Sequence, residues 1–238
     1  MDQRLSGAII AAGKGERLRS AVEGLPKPLV RIGGETLIER QARLLAAAGA
    51  DPVNAIVNSE TAQLIQAAKL RLPPRLAIMV RDTPNSMESF LALGDRIPLG
   101  RFLMTTVDTV VALGELQRFV GTALSRMNLS SAAPDGVLGV VGWRGDRHPL
   151  FAEMAADGTL VRLGGEKGRL VTAGVYLFST SIFEFAAEAR SLGLDALRRY
   201  LEFVLVKGMK LAAIELTEVV DVDEGDDLRT AQALACRD

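Results

Sequence analysis

The chain has 238 residues, of which 48% are hydrophobic and 24% are charged, a composition typical of globular proteins that bury a large core. Its 28 basic and 29 acidic residues give a formal net charge of −1, so the chain lacks the positive excess by which proteins attract nucleic acid. The single cysteine, Cys236, excludes an internal disulfide and a cysteine-rich metal site, and no run reaches the ~18 apolar residues of a membrane span. We therefore expect a cytoplasmic protein without a nucleic-acid or membrane partner.

The first half of the sequence predicts alternating strands and helices, the pattern of a parallel α/β sheet. Residues 5–12 form a short apolar run, as expected of a strand that is buried on both faces. Apolar residues recur at helical spacing over 35–48, and Gly49 follows as a C-cap. Further strands are predicted at 53–57, 76–80 and 101–107, and further helices at 61–72, 85–93 (with Ser86 as a possible N-cap) and 113–127.

The second half changes to strand-like segments that are separated by Asp-Gly or Gly-Gly turns. Strands are predicted at 137–143, 150–155, 159–163, 171–178, 211–215 and 219–222, and helices at 182–189, 194–206 and 224–235. Together the two halves predict a three-layer α/β/α domain around a mixed, mainly parallel sheet. Ligands of such sheets bind at the carboxyl ends of the strands.

A glycine turn follows the first predicted strand. Gly13 and Gly15 permit positive φ and leave no side chain between the backbone and a ligand, and successive N–H groups in such a turn bind anions. The Walker phosphate loop is excluded because its Gly-Lys-Ser/Thr ending is absent. The dinucleotide fingerprint is excluded because Leu18 stands where its third glycine belongs.

Three cations lie close to this turn in the sequence. Arg17 supplies a rigid fork of donors for phosphate oxygens, and Lys14 and Lys27 supply mobile point charges. Pro26 and Pro28 flank Lys27, which predicts an extended segment there. The pattern predicts a polyphosphate pocket; the alternative is a tight strand–helix turn that carries solvated charges.

Acidic residues mark two further strand ends. Asp108 follows the predicted strand at 101–107, and Asp221 and Asp223 form an Asp-Val-Asp segment. If that segment is extended, its two carboxylates point to one face, about 7 Å apart. Carboxylates beside a triphosphate commonly hold Mg²⁺. Without a phosphate site nearby, all three residues would instead be strand-end or turn residues.

The run Ala11-Ala12-Gly13-Lys14-Gly15-Glu16-Arg17-Leu18, followed by Pro26-Lys27-Pro28-Leu29, resembles the signature of the nucleotidylyltransferase superfamily. That superfamily includes sugar-1-phosphate nucleotidylyltransferases, phosphocholine-type cytidylyltransferases and molybdenum-cofactor guanylyltransferase. The resemblance implies a Rossmann-like nucleotide-diphospho-sugar transferase fold over 1–238, with a nucleotide-binding half at about 1–130 and an acceptor-binding half at about 131–238. It also implies transfer of an NMP group from an NTP to a sugar 1-phosphate or phospho-alcohol, with release of pyrophosphate.

The resemblance also implies roles for individual residues. Catalytic roles fall to Arg17 and Lys27, and Mg²⁺ ligation falls to Asp108 and to Asp221 or Asp223. The resemblance assigns nucleotide binding to the loop residues Ala11, Ala12, Gly13, Lys14 and Gly15. No oligomeric state follows from it.

Two downstream segments bear on the substrates. Asn85 and Ser89 resemble the Asn-x-x-x-Ser of phosphocholine-type cytidylyltransferases, which slightly favours CTP, although a helix cap explains the pair equally well. Gly174 lies in a strand resembling the family's acceptor-side Ala-Gly-Val-Tyr. Lys167 resembles the lysine that sugar enzymes place near the sugar phosphate; its alternative is a solvated hairpin lysine, since Gly168 replaces the usual proline.

Two other functions share this fold class. A nucleotide-sugar-dependent glycosyltransferase usually carries Asp-x-Asp at mid-chain, whereas this chain has only Asp108 after Thr106-Val107, and its Pro-Lys-Pro would have no role. A non-catalytic nucleotide-binding domain would be expected to have lost cations or carboxylates, and all of them are present. The sequence therefore favours nucleotidylyl transfer.

Overall fold

The apolar runs form the strands of a central sheet. A computed structural model of the chain describes residues 5–22, 24–70, 72–128, 133–145 and 149–236. In chain order the strands are β1 (Leu5–Ala11), β2 (Arg31–Ile32), β3 (Glu35–Thr36), β4 (Ala50–Val57), β5 (Leu76–Val80), β6 (Arg101–Thr106), β7 (Thr109–Val111), β8 (Gly136–Gly142), β9 (Phe151–Met154), β10 (Leu160–Leu163), β11 (Leu170–Ser179), β12 (Leu211–Glu215) and β13 (Val219–Asp221). The α-helices are α1 (Glu16–Ala21), α2 (Leu37–Ala47), α3 (Ser59–Ala67), α4 (Ser86–Gly94), α5 (Leu113–Asn128), α6 (Ala186–Ser191), α7 (Leu197–Val206) and α8 (Asp227–Ala235).

Nine of the described strands form one sheet. Its order is β10-β9-β11-β6-β1-β4-β5, and β8 extends it by pairing with β11 and with β12. The strands β6, β1, β4 and β5 are parallel, whereas β11 runs antiparallel to β6, β8 and β9. These pairings confirm the predicted mixed sheet of a Rossmann-like fold. Strand β11 joins the strands from the first half of the chain to those from the second half.

Helices cover both faces of this sheet. Along β1, Ile9 and Ala11 belong to a buried cluster that also contains apolar residues of α2, α5 and α8. The alternate residues Ala8 and Ile10 belong to a second cluster with residues of α4 and α7. Because successive residues of a strand point to opposite faces, the two clusters are the two interfaces of the predicted α/β/α arrangement. Among the described residues, no helix is long and apolar enough to cross a bilayer.

Several local predictions need correction. The helix predicted over 35–48 begins only at Leu37, after the short strand β3. It begins there because the Thr36 hydroxyl accepts the Glu39 N–H in a reciprocal capping box. The N-cap of α4 is Asn85, whose side chain accepts the Glu88 N–H, and Ser86 is the first helical residue. The segment predicted as one helix over 182–189 divides into a 3₁₀ turn at Thr180–Phe185 and α6.

The segment around Lys27 is not extended. Lys27–Leu29 form one turn of 3₁₀ helix, in which the Leu29 N–H donates to the Pro26 carbonyl at 2.9 Å and the Val30 N–H to the Lys27 carbonyl at 3.2 Å. The preference of a residue before proline for extended backbone is a local one. Here the turn hydrogen bonds and the buried contacts of the Lys27 side chain override it.

Candidate active site

A small two-stranded sheet brings two distant acidic segments together. Strand β7 begins directly after Asp108 and pairs antiparallel with β13, so that Thr109 lies opposite Asp221. The Val222 N–H donates to the Asp108 carbonyl at 3.0 Å and continues the pairing beyond the strands. One carboxylate oxygen from each of Asp108, Asp221 and Asp223 lies within 4.8 Å of the other two. We call these three residues the carboxylate cluster.

The expected extended geometry of Asp221-Val222-Asp223 is wrong at its last residue. Strand β13 ends at Asp221, and the Asp223 N–H turns back to the Asp221 carbonyl at 3.2 Å. The Asp227 carboxylate accepts the N–H groups of Asp223 and Glu224, at 3.0 and 2.8 Å, and fixes this turn. The turn, and not strand alternation, places Asp223 beside Asp108.

Lys27 lies between two members of the cluster. Its ammonium is 2.8 Å from Asp108 Oδ2 and 2.6 Å from Asp223 Oδ1, and the residue is only 8% exposed. Burial lowers the pKa of the Lys27 ammonium, but the charge of Asp108 and the hydrogen bonds to Asp108 and Asp223 outweigh burial and raise that pKa above its usual value. Lys27 is therefore a fixed positive charge at neutral pH.

The glycine turn packs directly on this lysine. Gly15 has φ +59°, and a Cβ at this position would come within 2.9 Å of the Lys27 Cβ. Glycine is therefore favoured at residue 15 for two reasons: the backbone there is left-handed, and the Lys27 side chain leaves no room for a Cβ. Gly13 differs from the prediction because it does not adopt positive φ; a Cβ there would meet nothing within 4 Å, so the space beside it is open.

The other two predicted cations, Lys14 and Arg17, line a groove together with the carboxylate cluster. Arg17, on α1, places Nη2 3.3 Å from Asp223 Oδ2, and its side chain is 46% exposed. Lys14 is exposed in the loop between β1 and α1, in the groove that Arg17 and Lys27 also line. Cations from the loop thus surround one side of the carboxylate cluster.

Two cavities meet at the carboxylate cluster. The first, the loop-side cavity, has a volume of about 500 Å³ and lies between the residues of the glycine turn and the segment 83–89. The second, the sheet-side cavity, has a volume of about 460 Å³ and lies along β11. Asp108 and Thr106 line both cavities. A group bound in one cavity can therefore reach a group bound in the other at the cluster.

The predicted substrate residues divide between these cavities. Asn85 and Ser89 line the loop-side cavity, together with Ala11, Ala12 and Gly13. Gly174 lines the sheet-side cavity. Lys167 is exposed and lines a separate cavity of about 520 Å³ beside β9, so the structure does not bring it to the carboxylate cluster. The roles of all four residues remain predictions.

The sheet-side cavity also contains residues that the sequence did not single out. Arg144 lies in the loop after β8 and Arg198 in the first turn of α7, and both are exposed. Arg198 also lines the groove of Lys14, Arg17 and Lys27. Burial raises the pKa of Tyr176 to about 12, against a hydrogen bond to Thr172 that lowers it, so its phenol is neutral at pH 7. No motif or spacing identified the two arginines, because only the folded chain brings them to the cavity.

Replacing Gly174 by alanine is expected to destabilise the fold at β11. Gly174 has φ +69°, and a Cβ there would overlap the hydroxyl oxygens of Thr106 and Thr109, which are hydrogen-bonded to each other at 2.8 Å. Left-handed strain and overpacking together predict a loss on the order of 3 kcal/mol in the free energy of unfolding. Urea denaturation measures it, with Gly142→Ala as a matched control, since a Cβ at Gly142 meets nothing within 4 Å. Equal midpoints for the two variants would refute the steric argument.

Known proteins resemble this chain in sequence and in fold. A 29% identical relative from Rubrobacter xylanophilus, named bifunctional IPC transferase and DIPP synthase, aligns with 98% of this chain; the chain spans 54% of that relative's length. Among solved structures, a Bacillus anthracis protein assigned as a glucose-1-phosphate thymidylyltransferase has a TM-score of 0.79 at 16% identity, covering 97% of this chain and 95% of that one. The inositol-1-phosphate CTP transferase of T. maritima has a TM-score of 0.76 at 16% identity, covering 98% and 96%. These two structures share the fold.

The family assignment rests on a match to a domain model. The model of the MobA-like NTP transferase domain matches residues 7–177, from the first strand of the sheet through most of β11. That match contains the glycine turn, Lys27, Asp108 and Gly174, and the predicted superfamily is therefore confirmed. The chain belongs to the MobA-like NTP transferase domain family and is a nucleotidyltransferase.

Proposed function

We propose that the chain transfers a cytidylyl group from CTP to a phosphorylated small alcohol, such as an inositol phosphate, and releases pyrophosphate. The observation that carries this proposal is the carboxylate cluster, which lies with Lys27 and Arg17 where two separate cavities meet. The names of the relatives support the substrates, since one is an IPC transferase and another an inositol-1-phosphate CTP transferase. Because the chain spans about half of the curated relative, the second activity in that relative's name is not part of the proposal.

The proposed reaction is an in-line displacement at phosphorus. An anionic oxygen of the acceptor phosphate forms a bond to the α-phosphorus of the NTP, and the bond from that phosphorus to the bridging oxygen of the β-phosphate breaks, so pyrophosphate leaves with the electron pair. No general base is required, because the attacking oxygen is already ionised. The protein's contribution is to position two polyanions and to offset their charge.

The residues present suit these tasks. The N–H groups of the glycine turn approach the triphosphate in the loop-side cavity. Lys27 is buried at the meeting point and lies beside both the attacking and the α-phosphate, where negative charge increases. Arg17, which is half-exposed, reaches the leaving pyrophosphate with its fork of donors. In the sheet-side cavity, Gly174 and the second half of the chain receive the acceptor, with Arg144 and Arg198 facing its charge.

The carboxylate cluster has the chemistry of a Mg²⁺ site. Its oxygens are the hard ligands that Mg²⁺ prefers, and Asp108, Asp221 and Asp223 would hold the ion. The Lys27 ammonium bonds to Asp108 and Asp223, as expected of a cluster whose negative charge attracts cations. When bound, Mg²⁺ would neutralise phosphate charge and orient the triphosphate.

The turn that holds Asp223 gives a test of the metal site. We expect Asp227→Ala to weaken Mg²⁺ binding in the presence of CTP by about 10-fold, because residues that orient metal ligands typically contribute 10- to 100-fold. Asp226→Ala is the matched control: it removes the same charge one residue earlier, from a side chain that is fully exposed. Titration of Mn²⁺ as a spectroscopic substitute measures the affinity. Equal weakening by both substitutions would point to net charge and not to the turn.

Pyrophosphate release tests the proposed reaction. The purified chain is incubated with each of the four NTPs and Mg²⁺, with and without a panel of sugar, inositol and alcohol phosphates. We expect release only when an NTP, a phosphorylated acceptor and Mg²⁺ are all present, and loss of release on adding EDTA. Release of inorganic phosphate in place of pyrophosphate would contradict the proposal.

A further inference from the structure

The two short strands that carry Asp108 and Asp221 need support from outside their own pairing. Strands β7 and β13 have three residues each, and an isolated two-stranded ribbon is marginally stable at best in water. Asp108 directly precedes β7, and Asp221 ends β13. The places of both carboxylates in the cluster therefore depend on what else fixes the ribbon.

One edge of β7 has no partner strand within the described part of the chain. In an antiparallel pair, successive residues direct their backbone groups alternately toward the partner strand and away from it. Asp108 faces β13, since its carbonyl accepts the Val222 N–H at 3.0 Å. The carbonyls of Thr109 and Val111 therefore face away from β13. Because both residues are buried, these carbonyls need a donor other than bulk water.

Two buried side chains of α2 supply the donors. Gln41 Nε2 donates to the Thr109 carbonyl, and Arg40 Nη2 donates to the Val111 carbonyl at 3.2 Å. The Thr109 carbonyl fixes the orientation of the Gln41 amide, because a carbonyl oxygen only accepts and the amide must present its NH₂ group to it. Apolar residues of α2 share a buried cluster with β1 and β4, so these hydrogen bonds tie the ribbon to the central sheet.

Packing alone does not explain an amide at residue 41. The Gln41 side chain is fully buried, and its Oε1 has no hydrogen-bond partner among the described residues. A buried oxygen without a partner costs free energy that an apolar side chain would avoid. What the amide provides in return is the donor to Thr109, the residue that follows Asp108 and lies opposite Asp221.

We infer that Gln41 is a positioning residue of the metal site. By holding the Thr109 carbonyl, it fixes the backbone beside Asp108 and, across the ribbon, the backbone of Asp221. Gln41 lines neither of the two cavities that meet at the carboxylate cluster, so it acts through β7 and not by contact with a substrate. This inference rests on the proposed function, in which the cluster holds Mg²⁺.

Binding of Mn²⁺ to the full chain, with and without CTP, tests this role independently of activity. Proton relaxation enhancement measures the Mn²⁺ that is bound to the protein. Gln41→Met keeps the length of the side chain and removes the donor, and we expect it to weaken Mn²⁺ binding about 10-fold, as is typical of residues that orient metal ligands. Gln41→Leu removes the same donor with a different apolar shape, so a loss shared by both variants comes from the hydrogen bond.

A variant with altered packing on the same helix separates positioning from stability. Ile38→Val shortens a fully buried side chain of α2 and leaves both donors in place. We expect it to lower the urea midpoint and to leave Mn²⁺ affinity unchanged. Both Gln41 variants are expected to remain folded, because removal of the unpartnered Oε1 partly offsets the lost hydrogen bond. Urea denaturation and circular dichroism of all three variants measure stability and folding.

The outcomes separate this inference from the proposed function. Weaker Mn²⁺ binding by both Gln41 variants, and not by Ile38→Val, supports the inference. Wild-type Mn²⁺ affinity in the Gln41 variants, an equal loss in Ile38→Val, or failure of both Gln41 variants to fold overturns the inference and leaves nucleotidylyl transfer in place. No Mn²⁺ binding by the wild-type chain, with or without CTP, contradicts the metal site of the proposed function and the inference with it.

Discussion

Substitution of Lys27 by methionine is expected to lower kcat/KM for pyrophosphate release by at least about 100-fold, the usual effect of removing a fixed charge that acts on the transition state. Lys27 is nearly buried where the two cavities meet, and its ammonium contacts Asp108 and Asp223. Methionine has a similar length and fills the same space, so the substitution removes the charge and little else. Initial rates with CTP and an acceptor phosphate measure the effect.

The Lys27→Met variant is expected to remain folded. Removing one partner of a fully buried ion pair costs about 3–5 kcal/mol, but water reaches both carboxylates here, so the loss of stability is expected to be smaller. Lys207→Met, which removes an exposed ammonium paired with Glu188, controls for the loss of a surface charge. Equal kcat/KM values for the two variants would show that the charge of Lys27 does not contribute to the reaction.

Asp108→Asn is expected to have a comparable effect, again at least about 100-fold in kcat/KM. Asp108 lines both cavities, accepts a hydrogen bond from Lys27 and belongs to the carboxylate cluster. The amide keeps the shape but removes the negative charge, so we expect Mg²⁺ affinity to fall together with the rate. Kinetics at several Mg²⁺ concentrations measure both quantities.

Two comparisons sharpen the test of Asp108. Asp95→Asn changes an exposed carboxylate at the C-terminal end of α4 and is expected to leave the kinetics unchanged. The Lys27 ammonium bonds to Asp108 at 2.8 Å, and in the proposed function the two residues act as one unit. The double variant is therefore expected to lose little more activity than either single variant. Additive losses would indicate that the two residues act independently, and a normal rate for Asp108→Asn at low Mg²⁺ would remove Asp108 from the metal site.

The sequence was sufficient to predict the strands of the central sheet and most of the residues that the fold brings together at the candidate site. Strand β1 was predictable because a nearly continuous apolar run is typical of a strand whose two faces are both covered by other elements. In the structure every residue of β1 is buried. The strands β5 and β12 were predicted with the observed limits, since turn residues or charges flank both runs. The convergence of Asp108 with Asp221 and Asp223 followed from the resemblance to a known superfamily, not from periodicity.

The remaining features depend on contacts that no local pattern records. Strand β7 has only three residues, and pairing with β13, more than 100 residues later, stabilises it. The 3₁₀ turn at Lys27 opposes a local proline preference because tertiary contacts override it.

The fate of the phosphates of the NTP tests nucleotidylyl transfer most directly. The chain is incubated with Mg²⁺, an inositol phosphate and CTP labelled either at the α- or at the γ-phosphate, and the products are separated. The proposed function predicts that the α-label enters a new compound containing both CMP and the acceptor phosphate, while the γ-label appears in an equal amount of pyrophosphate. Transfer of the γ-label to the acceptor, or its release as inorganic phosphate with CDP, would contradict it.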